Sequence, residues 1–263
     1  MSEDKIAQAA ELISETRLNG GPIDLVSELR PASEAEGYRL QATSNHMLAA
    51  SGLGAVVGHK IGCTTPVMQA FLGIHSPCSG EVFELTVAHE RARVRAEDYR
   101  RLGVECEIVV ALARDIEPRD APFTPASVAD AVGAVMAGIE IVDDRYADYR
   151  TFGVPSLIAD NFFNAGCVLG RPVREWRDLD LAALKGRTLI NDAEVGSGSG
   201  AMVVGHPLNA LAWLANARGA RGLGLKRGEF VFLGSLVETK WLNAGDRVKI
   251  EIDDLGGVEL AVE

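Results

Sequence analysis

A change of periodicity near Gly52 constrains this chain more than any other feature. Upstream of it, apolar residues recur at helical spacing. Ile6, Ala9, Leu12 and Ile13 line one face of a segment running to Leu18, and Asn19-Gly20-Gly21-Pro22 stops it. A second helix is expected from Ser33 towards His46 and Leu48, with Glu34 and Glu36 in its first turn, where carboxylates favour the helix dipole. Downstream, short apolar runs bounded by glycine and proline take over, a texture that suits strands. They occupy 55–62, 82–85, 91–94, 104–113, 138–142, 165–169, 188–190, 230–237, 247–252 and 258–262, the last two joined by an Asp253-Asp254-Leu255-Gly256-Gly257 turn. Two helices interrupt them. One has Thr124 as N-cap, Pro125 at its first position and Val128, Val132, Val135 and Met136 along one face; the other runs from Pro207 to about Ala217. The expectation is an α+β chain in which a helical N-terminal portion, residues 1–52, packs on a β-rich mixed-sheet domain, residues 53–263.

Composition narrows the function classes. With 47% hydrophobic residues, the 263-residue chain can fill a core, and 37 acidic against 26 basic residues, a net charge of -11, argue against a nucleic-acid binder that works through overall positive charge. Cys63, Cys78, Cys106 and Cys167 form no CxxC pair, which points to a reduced, cytoplasmic protein without a zinc knuckle. The charged start Met1-Ser2-Glu3-Asp4-Lys5 carries no secretory apolar core. Val195 to Ala217 is uncharged and long enough to span a bilayer, yet its glycines, serines, His206, Pro207 and Asn209 make it too polar, so no membrane association is expected. It reads as a loop followed by a short buried helix. Gly196-Ser197-Gly198-Ser199-Gly200 lacks the Lys-Ser/Thr of a P-loop and the register of GxSxG, and is expected to be a flexible turn.

The chemistry concentrates in Gly103-Val104-Glu105-Cys106-Glu107-Ile108-Val109-Val110-Ala111. Side chains alternate across a strand, so Glu105 and Glu107 project to one side and Cys106 and Ile108 to the other. Two carboxylates this close require either a proton or a cation. A solvated strand face is the plain alternative, but the continuous apolar run that follows fits a buried strand with the glutamates at the rim of a cleft. Glu140, flanked by Ile139 and Ile141, is equally hard to explain as surface. Three carboxylates without a Cys or His cluster suit a hard divalent ion, Mg²⁺ or Mn²⁺. Lys60, in Gly58-His59-Lys60-Ile61-Gly62, either snorkels to solvent or presents its ammonium to a pocket. His59 alternates to the opposite face and is expected to be structural, His206 to cap its helix, and Trp213 and Leu214 to join the core.

The ordered set Gly-x-Lys-Ile-Gly (58–62), Gly-Val-Glu-Cys-Glu (103–107), Ile-Glu-Ile-Val-Asp (139–143), Ala-Asp-Asn (159–161) and Gly-His-Pro-Leu-Asn-Ala-Leu-Ala-Trp-Leu-Ala (205–215) resembles the hydratase/decarboxylase branch of the fumarylacetoacetate hydrolase superfamily. That branch includes 2-keto-4-pentenoate hydratase and 4-oxalocrotonate decarboxylase of aromatic meta-cleavage pathways. The resemblance implies a rolled β-structure of the fumarylacetoacetate hydrolase C-terminal type, a cytoplasmic homo-oligomer, and Mg²⁺ or Mn²⁺ on Glu105, Glu107 and Glu140. It carries the family's pocket lysine onto Lys60, with Asp160 as its proton-relay partner and Asn161 as a substrate contact. Departures from the family pattern fall at Cys78, where relatives carry an acid, at Phe162-Phe163-Asn164, and in Gly234-Ser235-Leu236-Val237-Glu238-Thr239. Cys78, Phe162 and Ser235 are therefore further candidate substrate contacts. The implied activity is hydration of a small unsaturated 2-oxo acid of the 2-hydroxypenta-2,4-dienoate type. The alternatives are decarboxylation of 2-oxo-3-hexenedioate, which needs a second cation such as Arg145 or Lys240; acylpyruvate hydrolysis by a His-Glu pair built on His59 or His75; and a non-catalytic metal-binding subunit.

Overall fold

The computed structural model describes residues 1–263. Ser2 and Ser33 cap α1 (Glu3–Asn19) and α2 (Glu34–Leu48), their hydroxyls accepting from the Lys5 and Glu36 amides. There follow β1 (Val56–Gly62), a short α3 (Pro66–Leu72), β2 (Cys78–Phe83), β3 (Val87–His89), β4 (Arg91–Val94) and the long β5 (Leu102–Leu112). The middle of the chain holds α4 (Pro125–Ala129), β6 (Val132–Asp143), α5 (Val154–Ala159), β7 (Asn164–Leu169), β8 (Lys185–Ile190) and β9 (Ala193–Ser199). It ends with α6 (Pro207–Gly219), β10 (Phe230–Ser235), β11 (Lys240–Trp241), β12 (Arg247–Ile252) and β13 (Gly256–Val262).

The strands form two sheets. The larger has the order β2-β1-β10-β5-β6-β7-β3, with β11 also paired to β5; the smaller has the order β4-β13-β12-β8-β9. In the larger sheet β1 runs parallel to β10, while β5 is antiparallel to both β10 and β6. Val104, Cys106, Ile108 and Val110 of β5 belong to the main core, together with Ile250 of β12, Leu260 of β13, and Leu211 and Leu214 of α6. Each large aliphatic side chain buried there contributes about 1.5–3 kcal/mol. The other set of β5 positions, Glu105, Glu107 and Val109, faces away from this core. Beyond it α1 and α2 share a second core with α5, through Ile13, Leu40, Leu157 and Ile158. The helical portion thus packs against the rest of the chain through one shared cluster, which also takes in Cys63, Cys78 and Phe162.

Two sequence expectations change. The helix beginning at Thr124 stops at Ala129, and Val132, Val135 and Met136 belong to β6. Its start signal is real, since Thr124 and Ser127 form a capping box. The apolar, β-branched run after it satisfies a strand period as well as a helical one, and pairing with β5 decides for the strand. The glycine-rich stretch 196–200 is no free turn, since all but its last residue lies in β9. A side chain at Gly198 would meet the Leu236 carbonyl at 1.9 Å, so the glycine permits a close approach of backbones. His206 does cap α6, Nδ1 accepting from the Leu208 amide at 3.1 Å, and Leu214 is fully buried.

Candidate active site

The antiparallel register of β5 and β6 builds the site. Glu105 is the direct cross-strand partner of Glu140, and Glu107 lies opposite Gly138. Alternation puts the three carboxylates on one face, where one oxygen from each lies within 4.8 Å of the others. Glu107 and Glu140 are fully buried, and Glu105 is half-buried. Glu107 Oε2 accepts from the Gly234 amide at 2.7 Å, Glu140 Oε1 accepts from Asn164 Nδ2 at 3.0 Å, and Glu105 accepts from the Thr239 hydroxyl. Burial, reinforced by the neighbouring acids, pushes the Glu107 carboxyl well above its ordinary range; burial likewise raises Glu140 to about 7, although Lys60 opposes it.

Lys60 reaches this cluster from β1. Its Nζ lies 3.2 Å from Glu140 Oε1 and donates to the Phe162 carbonyl at 3.1 Å. Burial alone would lower its pKa, but Glu140, Glu105 and Glu107 outweigh that and keep the ammonium charged. One lysine does not balance three acids. Glu107 Oε1 and Glu140 Oε2 are buried without any hydrogen-bond partner, which costs several kcal/mol unless something cationic fills the space. An all-oxygen donor set with two orphaned carboxylate oxygens fits a hard divalent cation, and Glu105, Glu107 and Glu140 are the residues that would hold it.

The cluster borders a cavity of about 450 Å³. Lys60 and Glu105 line it, as do Phe162 and Ser235; its walls are largely apolar, with Val67, Met68 and Leu72 contributed by α3. Asp144, missed by sequence reasoning, also lines it, and burial raises its pKa. Other expected site residues stand elsewhere. Asp160 is fully buried, with its two oxygens in ion pairs to Arg17 at 2.8 Å and Arg145 at 3.0 Å, so it fastens α1 to the sheet domain and is not at the cavity. Asn161 points its amide at Asn45, donating to Oδ1 at 2.6 Å. Cys78 is fully buried with its thiol against that of Cys63, and it is Cys63 that lines the cavity. Residues 161–163 all have left-handed backbones, with φ of 54°, 50° and 69°; this costs about 1–2 kcal/mol for each ordinary residue and turns the Phe162 carbonyl onto Lys60.

Two rival assignments meet the same geometry. Arg145 is consumed by Asp160 and Asp143, and Lys240 pairs with Glu238 at 2.7 Å, so Lys60 is the one lysine or arginine lining the cavity. His59 does have a glutamate partner, Glu229, at 3.1 Å, but it occupies the opposite face of β1 from Lys60, and His75 is exposed.

Residues 82–263 match the family described as fumarylacetoacetate (FAA) hydrolase C-terminal, and the chain belongs to that family. It is 35% identical over 264 residues to a 2-keto-4-pentenoate hydratase of Burkholderia vietnamiensis, with 98% of each chain covered. It is also 35% identical over 223 residues to a 2-hydroxyhexa-2,4-dienoate hydratase of Comamonas testosteroni, covering 84% of this chain and 83% of that one. These relatives are hydratases, a class of lyase. The fold superposes with a TM-score of 0.93, at 26% identity and with 100% of this chain and 99% of the other covered, on 4-oxalocrotonate decarboxylase from Pseudomonas putida G7 complexed with magnesium and adipate. Lys60 and the two N-terminal helices precede the family-matched segment.

Proposed function

We propose that the protein is a divalent-metal-dependent lyase that adds water to a small unsaturated 2-oxo acid of the 2-hydroxypenta-2,4-dienoate type, using Mg²⁺ or Mn²⁺ held by Glu105, Glu107 and Glu140. The observation that carries this reading is the buried three-carboxylate cluster, with two orphaned oxygens, beside a charged lysine at the edge of an apolar cavity. A bound divalent ion supplies Lewis acidity that stabilises enolate character in a 2-oxo acid. Lys60 has three donors, of which two are engaged by Glu140 and Phe162; the third is available for the substrate carboxylate. Phe162, Leu72 and Met68 receive the hydrocarbon part and limit bulk water. Asp144, raised by burial and within the cavity wall, is the acid/base candidate for the proton shift that precedes water addition. The proposal includes a cytoplasmic homo-oligomer acting in aromatic-compound catabolism; four buried, free cysteines agree with a reducing compartment, and no helix is long and apolar enough to cross a membrane.

A monoacid is favoured over a diacid by the charge of the cavity. Lys60 is its single lining lysine or arginine, while Asp144 and Glu238 also line it, so a second substrate carboxylate meets no free cation. With Mn²⁺ present, 2-hydroxypenta-2,4-dienoate should lose its conjugated absorbance without CO₂ release, at a kcat/KM at least about tenfold above that for 2-oxo-3-hexenedioate, the ratio expected from about 1.4 kcal/mol of uncompensated charge. Release of CO₂ from the diacid at a comparable rate would replace this reading with the decarboxylase. Silence with both substrates despite bound metal would replace it with a non-catalytic subunit.

A further inference from the structure

The helical N-terminal portion lies outside the family-matched segment, yet one of its side chains reaches to within one residue of the Lys60 contact. Asn45, on α2, is 3% exposed and fully engaged. Its Nδ2 donates to Asn161 Oδ1 at 3.1 Å and to Glu81 Oε2 at 2.9 Å, and its Oδ1 accepts from Asn161 Nδ2 at 2.6 Å. The Glu81 amide also donates to Asn161 Oδ1, at 2.9 Å, and Glu81 Oε1 accepts from Arg218 at 3.0 Å. The Asn161 side chain is thereby held by three hydrogen bonds, two with Asn45 and one from the Glu81 amide, at the head of the left-handed run whose next carbonyl, Phe162 O, accepts from Lys60. The seat for that run is Gly80, which is the strand partner of Lys60; any side chain there would meet the Asn161 carbonyl at 2.6 Å. The Phe162 ring centroid lies 5.5 Å from the same ammonium, so one residue orients Lys60 through both its carbonyl and its ring.

A left-handed Phe162-Phe163 pair does not persist without such restraint. We propose that Asn45, braced by Glu81 and Arg218, is a positioning residue for Lys60: it fixes Asn161, which aims the Phe162 carbonyl, which sets where the lysine presents its remaining donor to a 2-oxo acid. The N-terminal helices then contribute to the site through this side chain. This rests on the reading of Lys60 as a contact for the substrate carboxylate.

The test is a double-mutant cycle on binding, independent of turnover. The affinity of 2-oxopentanoate is measured calorimetrically at saturating Mn²⁺ for the parent, Asn45→Ala, Lys60→Met and the double variant. Asn45→Ala should weaken binding about tenfold, the scale of one misdirected charge-assisted hydrogen bond, while leaving the Mn²⁺ affinity within about twofold. In the Lys60→Met background the same substitution should change nothing, because there is no ammonium left to misplace. An equal loss in both backgrounds would make Asn45 merely structural and overturn the inference. If the parent binds Mn²⁺ but no 2-oxo acid, the substrate reading itself fails, and the inference with it. Should Asn45→Ala not fold, Asn45→Ser carries the same cycle, since its shorter side chain cannot span Glu81 and Asn161.

Discussion

Glu107→Gln is expected to abolish functional divalent-ion binding while leaving the metal-free protein as stable as the parent, or more stable. Glu107 is fully buried, its Oε1 has no partner, and Glu105 and Glu140 face it with like charge. A glutamine keeps the acceptor for the Gly234 amide and removes the charge, so the metal-free fold is relieved of repulsion. The metal loses one of three carboxylate ligands. Partners outside the coordination shell already change metal affinity 10–100-fold, so loss of a ligand should raise the Mn²⁺ Kd by at least about 100-fold and take turnover to background. Calorimetric titration gives the affinity. Thermal melts with and without Mn²⁺ give the rest: only the parent should shift upward on adding metal. Parent-like Mn²⁺ binding by the variant would sink the three-glutamate site.

The same cluster fixes opposite pH slopes for stability and for metal affinity. Burial raises Glu107 and Glu140 above the ordinary 4.5, Glu140 to about 7. Because their folded values lie above the unfolded one, the metal-free fold holds protons that the unfolded chain has already released. Their contribution to stability is complete below about pH 4.5 and is lost as pH rises through about 7 and beyond. A metal ion competes for those sites, so Mn²⁺ affinity should climb across the same window. Melting temperatures recorded from pH 5 to 8 should show this part of the stability falling without metal, and the gain from Mn²⁺ growing.

What could be read from the sequence followed the range of each signal. Strand alternation is local, so the shared face of Glu105 and Glu107 was legible from the stretch 103–111, and Glu140 announced itself by the isoleucines around it. Lys60 was legible for the same reason, as a charge inside an apolar strand. Asp160 and Asn161 were harder, because their partners lie far away: Arg17 is 143 residues from Asp160, and Asn45 is 116 from Asn161. Nothing in a helical pattern distinguishes an asparagine that faces solvent from one that braces an active site. The end of α4 was hidden for another reason. Val128 to Met136 can be written on a helix or on a strand, and only the pairing of β6 with β5, a tertiary fact, chooses between them. Asp144 carried no local mark, since it follows Asp143 in a run that reads as a strand end.

Asp160→Asn should therefore act on stability first. The carboxylate has no exposure and stands between two buried guanidiniums, Arg17 Nη1 at 2.8 Å and Arg145 Nη1 at 3.0 Å. Arg17 also donates to the Asp160 and Asn164 carbonyls, each at 3.0 Å, which ties α1 to the segment carrying residues 161–164. Burial already depresses the Arg17 guanidinium, to about 10, with Arg145 adding to the effect and Asp160 opposing it. An amide at position 160 would leave two like charges buried against each other with one counter-ion, Asp143, 3.4 Å from Arg145. Breaking a buried pair in this way costs about 3–5 kcal/mol, which for a chain of this size is a fall of about 10 °C in melting temperature. Arg17→Met should cost less, because Arg145 then keeps Asp160 to itself. The order of the two variants separates an ion-pair clamp from a reacting group. A clamp gives a low melting temperature for Asp160→Asn, an intermediate one for Arg17→Met, and activity lost in step with folding. A parent-like melting temperature with turnover abolished in Asp160→Asn alone would return Asp160 to the chemistry.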